Sequence, residues 1–223
     1  MRVLFRKFLI LVAIFCVAAC RQSDGDERQK YVGTKAIIKA HGNQLVLEIK
    51  DFSDNIIISE IRDKYGDFVS RRHYYHGLYP VAGKEGSNQW EMDFDVGKID
   101  SLFPLAVGNS TNITGDMKDI NSGKSYNFWA HIEVVAKRPF LLPTGEEQTY
   151  VLKINTEYDW NGRSKRTTET IYYSPELNMN LKGVMHEHNA QRYWRVTSVE
   201  KPSVAKKNNR RRPQRPRSST VLI

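Results

Sequence analysis

Trp90-Glu91-Met92-Asp93-Phe94-Asp95-Val96 alternates apolar and acidic side chains without a break. A period of two fits a β-strand with one buried face and no other regular structure. The habit recurs down the chain. Tyr126, Phe128, Ala130, Ile132 and Val134 share one parity, opposite Asn127, Trp129, His131 and Glu133. Tyr150, Leu152, Ile154, Thr156 and Tyr158 do the same opposite Lys153, Asn155 and Glu157. Further strands are read at Gln44 to Lys50, Ile56 to Ile61, Phe68 to Tyr75, Thr167 to Tyr173, Leu181 to His186 and Tyr193 to Val199. Ser53-Asp54-Asn55, Tyr65-Gly66-Asp67 and Asn161-Gly162 supply turn chemistry between them. No run shows the 3.6-residue period of an amphipathic helix. The expected fold is all-β: an antiparallel meander of about ten strands, closed as a barrel or curled as a half-barrel.

The two ends of the chain fall outside that pattern. Arg2, Arg6 and Lys7 precede an apolar run from Phe8 to Val17, which is shorter than the roughly 18 residues a membrane span needs. The run closes on Val17-Ala18-Ala19-Cys20, which resembles the lipobox of a bacterial lipoprotein signal peptide. The resemblance implies cleavage before Cys20, a diacylglycerol thioether on its sulfur and further acylation, with palmitate among the chains. In such lipoproteins an aspartate after the cysteine holds the protein at the inner membrane. Arg21 stands there instead, which implies an outer-membrane anchor with the protein facing the periplasm. The plainer alternatives are an ordinary signal peptide with an incidental cysteine, or a buried strand. The domain reading is a signal peptide at 1–19, a lipidated polar tether at 20–33, a β-domain at 34–200 and a disordered basic tail at 201–223. The only other cysteine is Cys16, inside the signal, so the mature chain has no disulfide to hold its fold.

The net charge of +9 is not a property of the folded body. Three basic residues lie in 1–19 and eight in 201–223, with no acid in either segment. The remaining 23 basic groups of residues 20–200 face 25 acidic ones. That near-neutral body argues against a nucleic-acid-binding surface, which needs its charge on the fold. In the tail, Lys206, Lys207, Arg210, Arg211, Arg212, Arg215 and Arg217 are candidates for binding an anionic envelope polymer or lipid.

Three segments carry a second resemblance: Leu102-Phe103-Pro104-Leu105-Ala106-Val107-Gly108, Leu142-Pro143-Thr144-Gly145, and Ile171-Tyr172-Tyr173-Ser174-Pro175-Glu176-Leu177. They are similar to a loose set of bacterial envelope domains of unknown function, over roughly residues 100–200. Asn178 departs from that pattern, where glycine is common, as does Thr144, where alanine is. The resemblance implies an envelope β-fold in which these residues are structural, and it brings no catalytic residue.

Candidates for chemistry are sparse. His186 and His188 are two apart, so a strand would aim both the same way toward a metal. Asn189-Ala190 follows at once, and the plainer reading is a pair of exposed histidines beside a turn. His73 and His76 fall on opposite strand faces, and Asp93 and Asp95 occupy the solvent parity of theirs. No nucleophile elbow, phosphate loop or nucleotide fingerprint is present, and no cofactor is implied. The leading reading is a non-enzymatic, lipid-anchored binding or assembly module. The second is a lipid carrier resembling the lipoprotein-localisation half-barrel, and the third a metal-dependent envelope hydrolase built on His186, His188 and a carboxylate. An empty apolar interior on the order of hundreds of cubic ångströms distinguishes the carrier from a filled scaffold.

Overall fold

Asp54 and Asn55 take φ values of 49° and 62°, the backbone of a tight hairpin turn that short polar side chains tolerate. The turn sets β2 (Asn43–Ser53) against β3 (Ile56–Asp63). Antiparallel strands paired in sequence order run through the described residues. In a computed structural model, which describes residues 30–160, 163–187 and 190–202, the others are β1 (Lys35–Ala40), β4 (Phe68–Tyr75), β5 (Tyr79–Glu85) and β6 (Asn88–Phe94). They continue as β7 (Ser110–Asp119), β8 (Ser125–Leu142), β9 (Gly145–Trp160), β10 (Arg163–Ser174), β11 (Met179–Glu187) and β12 (Ala190–Glu200). Each strand pairs with its neighbours in sequence, and β1 pairs with β12 from Lys35↔Glu200 to Ala40↔Trp194. The meander is therefore a closed antiparallel barrel of twelve strands, and closure leaves no edge in the ring.

The parities expected from the sequence are the ones observed. Phe128, Ala130, Ile132 and Val134 are buried, while Asn127 and Trp129 face solvent. Strand β6 ends two residues earlier than its alternation suggests, because the Asp95 carboxylate accepts the Gly97 N–H at 3.0 Å and turns the chain into α1 (Gly97–Asp100). Tyr31 is buried, packs on Phe52 at 5.6 Å between ring centroids, and starts the described body ahead of Thr34.

Twelve strands enclose more width than side chains alone fill, since eight already leave room for a small ligand. One end is filled by chain instead. The β6–β7 connection crosses it, burying Ile99, Leu102 and Leu105 against Tyr75, Tyr79 and Ile113. Tyr75 donates its hydroxyl to Asp100 at 2.9 Å, and His76 Nε2 lies 2.9 Å from the same carboxylate. From the far wall the β10–β11 turn meets the β4–β5 turn: Tyr173 donates to the His76 carbonyl at 2.7 Å and Asn180 to that of Leu78 at 3.0 Å. Asn178 takes φ 50°, which explains why glycine is common at that position and asparagine acceptable. Both described chain ends reach this closed end, where Lys30 and Lys201 pair with Glu176 at 3.5 and 3.6 Å. The tip of the long β8–β9 hairpin folds back onto the outer wall, with Phe140 against Tyr172 and the Arg195 guanidinium over the Phe140 ring at 4.9 Å.

Candidate functional site

The other end of the barrel is not filled. Leu45, Leu47, Ile61, Met92, Met117, Met185 and Trp194 point inward yet keep accessible surface. They line a cavity of about 490 Å³, within the range of pockets that hold small organic ligands. Two glycines widen it. Gly83 pairs with Trp90 and Gly183 with Trp194. A Cβ at Gly83 would stand 2.6 Å from the Trp90 ring, and one at Gly183 would stand 2.3 Å from the Trp194 Nε1. Without side chains, these glycines let both indoles lie back against the wall rather than across the lumen. Below them, Ile38, Ile49 and Ile57 continue an aliphatic wall contributed by β1 to β3.

Charged and hydroxyl-bearing side chains enter the same space. Arg72 on β4 pairs with Glu85 on β5 and lies over the Trp90 ring at 5.8 Å. Glu169 on β10 is half-buried in the cavity lining, and burial pushes its carboxyl above the ordinary glutamate range, with Arg72 opposing that shift. Burial likewise raises the Tyr74, Tyr79 and Tyr158 hydroxyls, so all three are neutral hydrogen-bonding groups.

The residues singled out in the sequence lie elsewhere. Cys20, His188 and the tail residues Lys206, Lys207, Arg210, Arg211, Arg212, Arg215 and Arg217 lie outside the described residues, as does the Asn161-Gly162 turn. His186 is exposed on the outer wall, between Thr168 and Gln191 of the neighbouring strands. His73 faces outward on β4 and His76 belongs to the closed end, while Asp93 and Asp95 are exposed. Among the described residues, no three His, Cys, Asp or Glu side chains come together as a metal site. The segments resembling envelope domains are structural: Leu102 and Leu105 plug the barrel, and Tyr173, Ser174 and Leu177 are buried at its closed end. Sequence reading missed Arg72, Tyr74 and Glu169. The signal is faint, Arg72 as a charge on the Ser70 and Tyr74 parity of β4, and nothing local marks Tyr74 or Glu169.

Fold and lumen together define a closed β-barrel with one plugged end and a ligand-sized cavity toward the other. No protein-family model matches the chain, and no curated protein matches its sequence. Solved structures match its shape. The hypothetical lipoprotein YmcC from Escherichia coli K12 superposes with a TM-score of 0.51 at 7% identity, covering 78% of this chain and 89% of that one. A candidate exported protein with a YmcC-like fold from Bacteroides fragilis gives 0.47 at 10% identity over 77% and 97% of the two chains. A candidate lipoprotein from Parabacteroides distasonis gives 0.42 at 10% identity over 77% and 96%. The chain shares the fold of YmcC.

Proposed function

We propose that this chain is a lipid-anchored protein of the bacterial outer membrane, facing the periplasm, whose barrel lumen binds a long apolar ligand. The cavity of about 490 Å³ carries the reading. A binding or assembly module that acted only through its outer surface would have no use for it. An unfilled apolar interior forfeits the contacts that make cores stable, so a fold that retains one gains something by leaving it open. The anchor rests on Val17-Ala18-Ala19-Cys20, and the hypothetical lipoprotein YmcC shares the barrel. β1 starts and β12 ends at the plugged end, so the segment leading from Cys20 joins the barrel there, at the end opposite the mouth.

Two measurements test the parts separately. N-phenylnaphthylamine, an uncharged fluorophore, is expected to bind the purified protein with enhanced emission. Ala40→Trp, which projects a large side chain into the lumen, is expected to abolish that enhancement while circular dichroism stays unchanged. Wild-type protein that gives no enhancement would remove the ligand-binding reading. For the anchor, Cys20→Ala is expected to move the protein from the detergent phase to the aqueous phase in phase separation. Partition unchanged by that substitution would show that the lipobox is not used.

A further inference from the structure

The middle of the lumen is polar where its wall is not. Ser59 on β3, Arg72 and Tyr74 on β4, Tyr158 on β9 and Glu169 on β10 all line it. Strands β4 and β10 stand opposite each other in the ring of twelve, so Arg72 and Tyr74 face Glu169 across the cavity. Hydrogen-bonding capacity there is unused. Ser59 is only 2% exposed, yet its Oγ has no partner. No described residue donates a hydrogen bond to the Glu169 carboxyl, which Arg72 influences only from a distance. The cations that line the cavity are already engaged: Arg72 is held by Glu85 and stacked on Trp90, and Arg192 stands 3.8 Å from the Glu187 carboxylate.

We propose that this middle section recognises an uncharged, oxygen-bearing head group, the hydroxyl or ester of a long-chain amphiphile, with the hydrocarbon lying along the aliphatic wall of β1 to β3. The proposal rests on the ligand-binding reading of the lumen and adds its head-group chemistry. A buried polar group without a partner costs about 1–3 kcal/mol. A ligand that supplies partners is therefore favoured over plain hydrocarbon. Burial raises the Glu169 carboxyl above the ordinary glutamate range, which favours the protonated form and its O–H beside the Tyr74 and Tyr158 hydroxyls. An anionic head group at this depth sheds its hydration and meets a cation already paired with Glu85.

The test uses the unlipidated mature chain, residues 20–223 with Cys20→Ser, and displacement of bound N-phenylnaphthylamine. Three competitors of equal chain length are compared in neutral buffer: a fatty alcohol, a monoacylglycerol and an ionised fatty acid. The alcohol and the monoacylglycerol are expected to compete at about tenfold lower concentration than the acid, the worth of one hydrogen bond. Glu169→Leu is expected to erase that preference, the three competitors then displacing the fluorophore at similar concentrations when each is read against that variant's own fluorophore affinity. Glu169→Gln, whose amide still donates, is expected to keep it. A fatty acid that competes as well as the alcohol, or a preference that survives Glu169→Leu, overturns the head-group inference and leaves the ligand-binding lumen standing. Wild-type protein that never binds the fluorophore overturns both.

Discussion

Gly77→Ala is expected to destabilise the barrel by about 2–4 kcal/mol, the sum of left-handed backbone strain and overpacking. Gly77 has φ 62°, a conformation that costs an L-residue in its own right. A Cβ there would also stand 2.0 Å from the Asn178 carbonyl oxygen, which is backbone and cannot rotate aside. The β4–β5 and β10–β11 turns would have to part, taking with them the Tyr173 hydrogen bond to His76 and that of Asn180 to Leu78. Gly42→Ala provides the comparison. Gly42 has φ 81° and nothing within 4 Å of its added Cβ, so it is expected to lose only about 1 kcal/mol. Urea titration of the two variants isolates the steric part. Equal losses in both would mean that the two turns do not hold the closed end shut.

The strands of the barrel differ in how well the sequence announces them. β8 was legible because Phe128, Ala130, Ile132 and Val134 are apolar and their alternates are polar, so burial and parity agree. β7 was not. Its inward residues are Thr111, Ile113, Gly115 and Met117, and a strand with threonine and glycine on its buried face has little hydrophobic contrast. β5 contains Pro80 and Gly83, both of which argue against a strand interior. The structure accommodates Pro80 at a bulge opposite Tyr74 and uses Gly83 to seat Trp90. β1 is obscured in the sequence because Ile37 and Ile38 are adjacent and blur the period of two. Barrel closure was open for the same reason, since it depends on β1 pairing with β12.

The lumen was harder still to read, and the difficulty has a physical source. In Thr167-Thr168-Glu169-Thr170-Ile171-Tyr172-Tyr173, both parities carry threonine and an aromatic residue. Nothing in the segment says that Glu169 faces inward. That follows only from its register with Ile154 and Met185 on the two neighbouring strands. The histidines drew attention because their chemistry is conspicuous in a sequence, yet His186 stands on the outer wall.

Glu169→Gln is expected to raise the melting temperature at neutral and alkaline pH and to have much less effect at acid pH. The carboxyl is raised above its ordinary value by burial, whereas in the unfolded chain it titrates in the usual glutamate range. Between those two values the folded protein holds a proton that the unfolded chain releases. Stability therefore falls as pH rises through that window, and the full cost stands above the folded-state value. Below the ordinary glutamate range both states are protonated and the cost vanishes. Arg72 from β4 acts the other way by favouring the carboxylate, while Tyr74, Tyr79 and Tyr158 remain neutral around it. Glutamine keeps the shape and the hydrogen-bonding capacity but cannot ionise, so the substitution removes this titration and leaves the others. Glu60 is one of those others: on the outer wall, Arg71 and Arg62 hold its carboxyl below the usual range, giving a contribution that is lost as pH falls. It is common to both proteins and cancels in the comparison. Thermal unfolding across pH should show the two curves separating as pH rises, with the variant above. Parallel curves would mean that Glu169 is solvated like a surface carboxylate, and that the middle of the lumen is far wetter than its lining indicates.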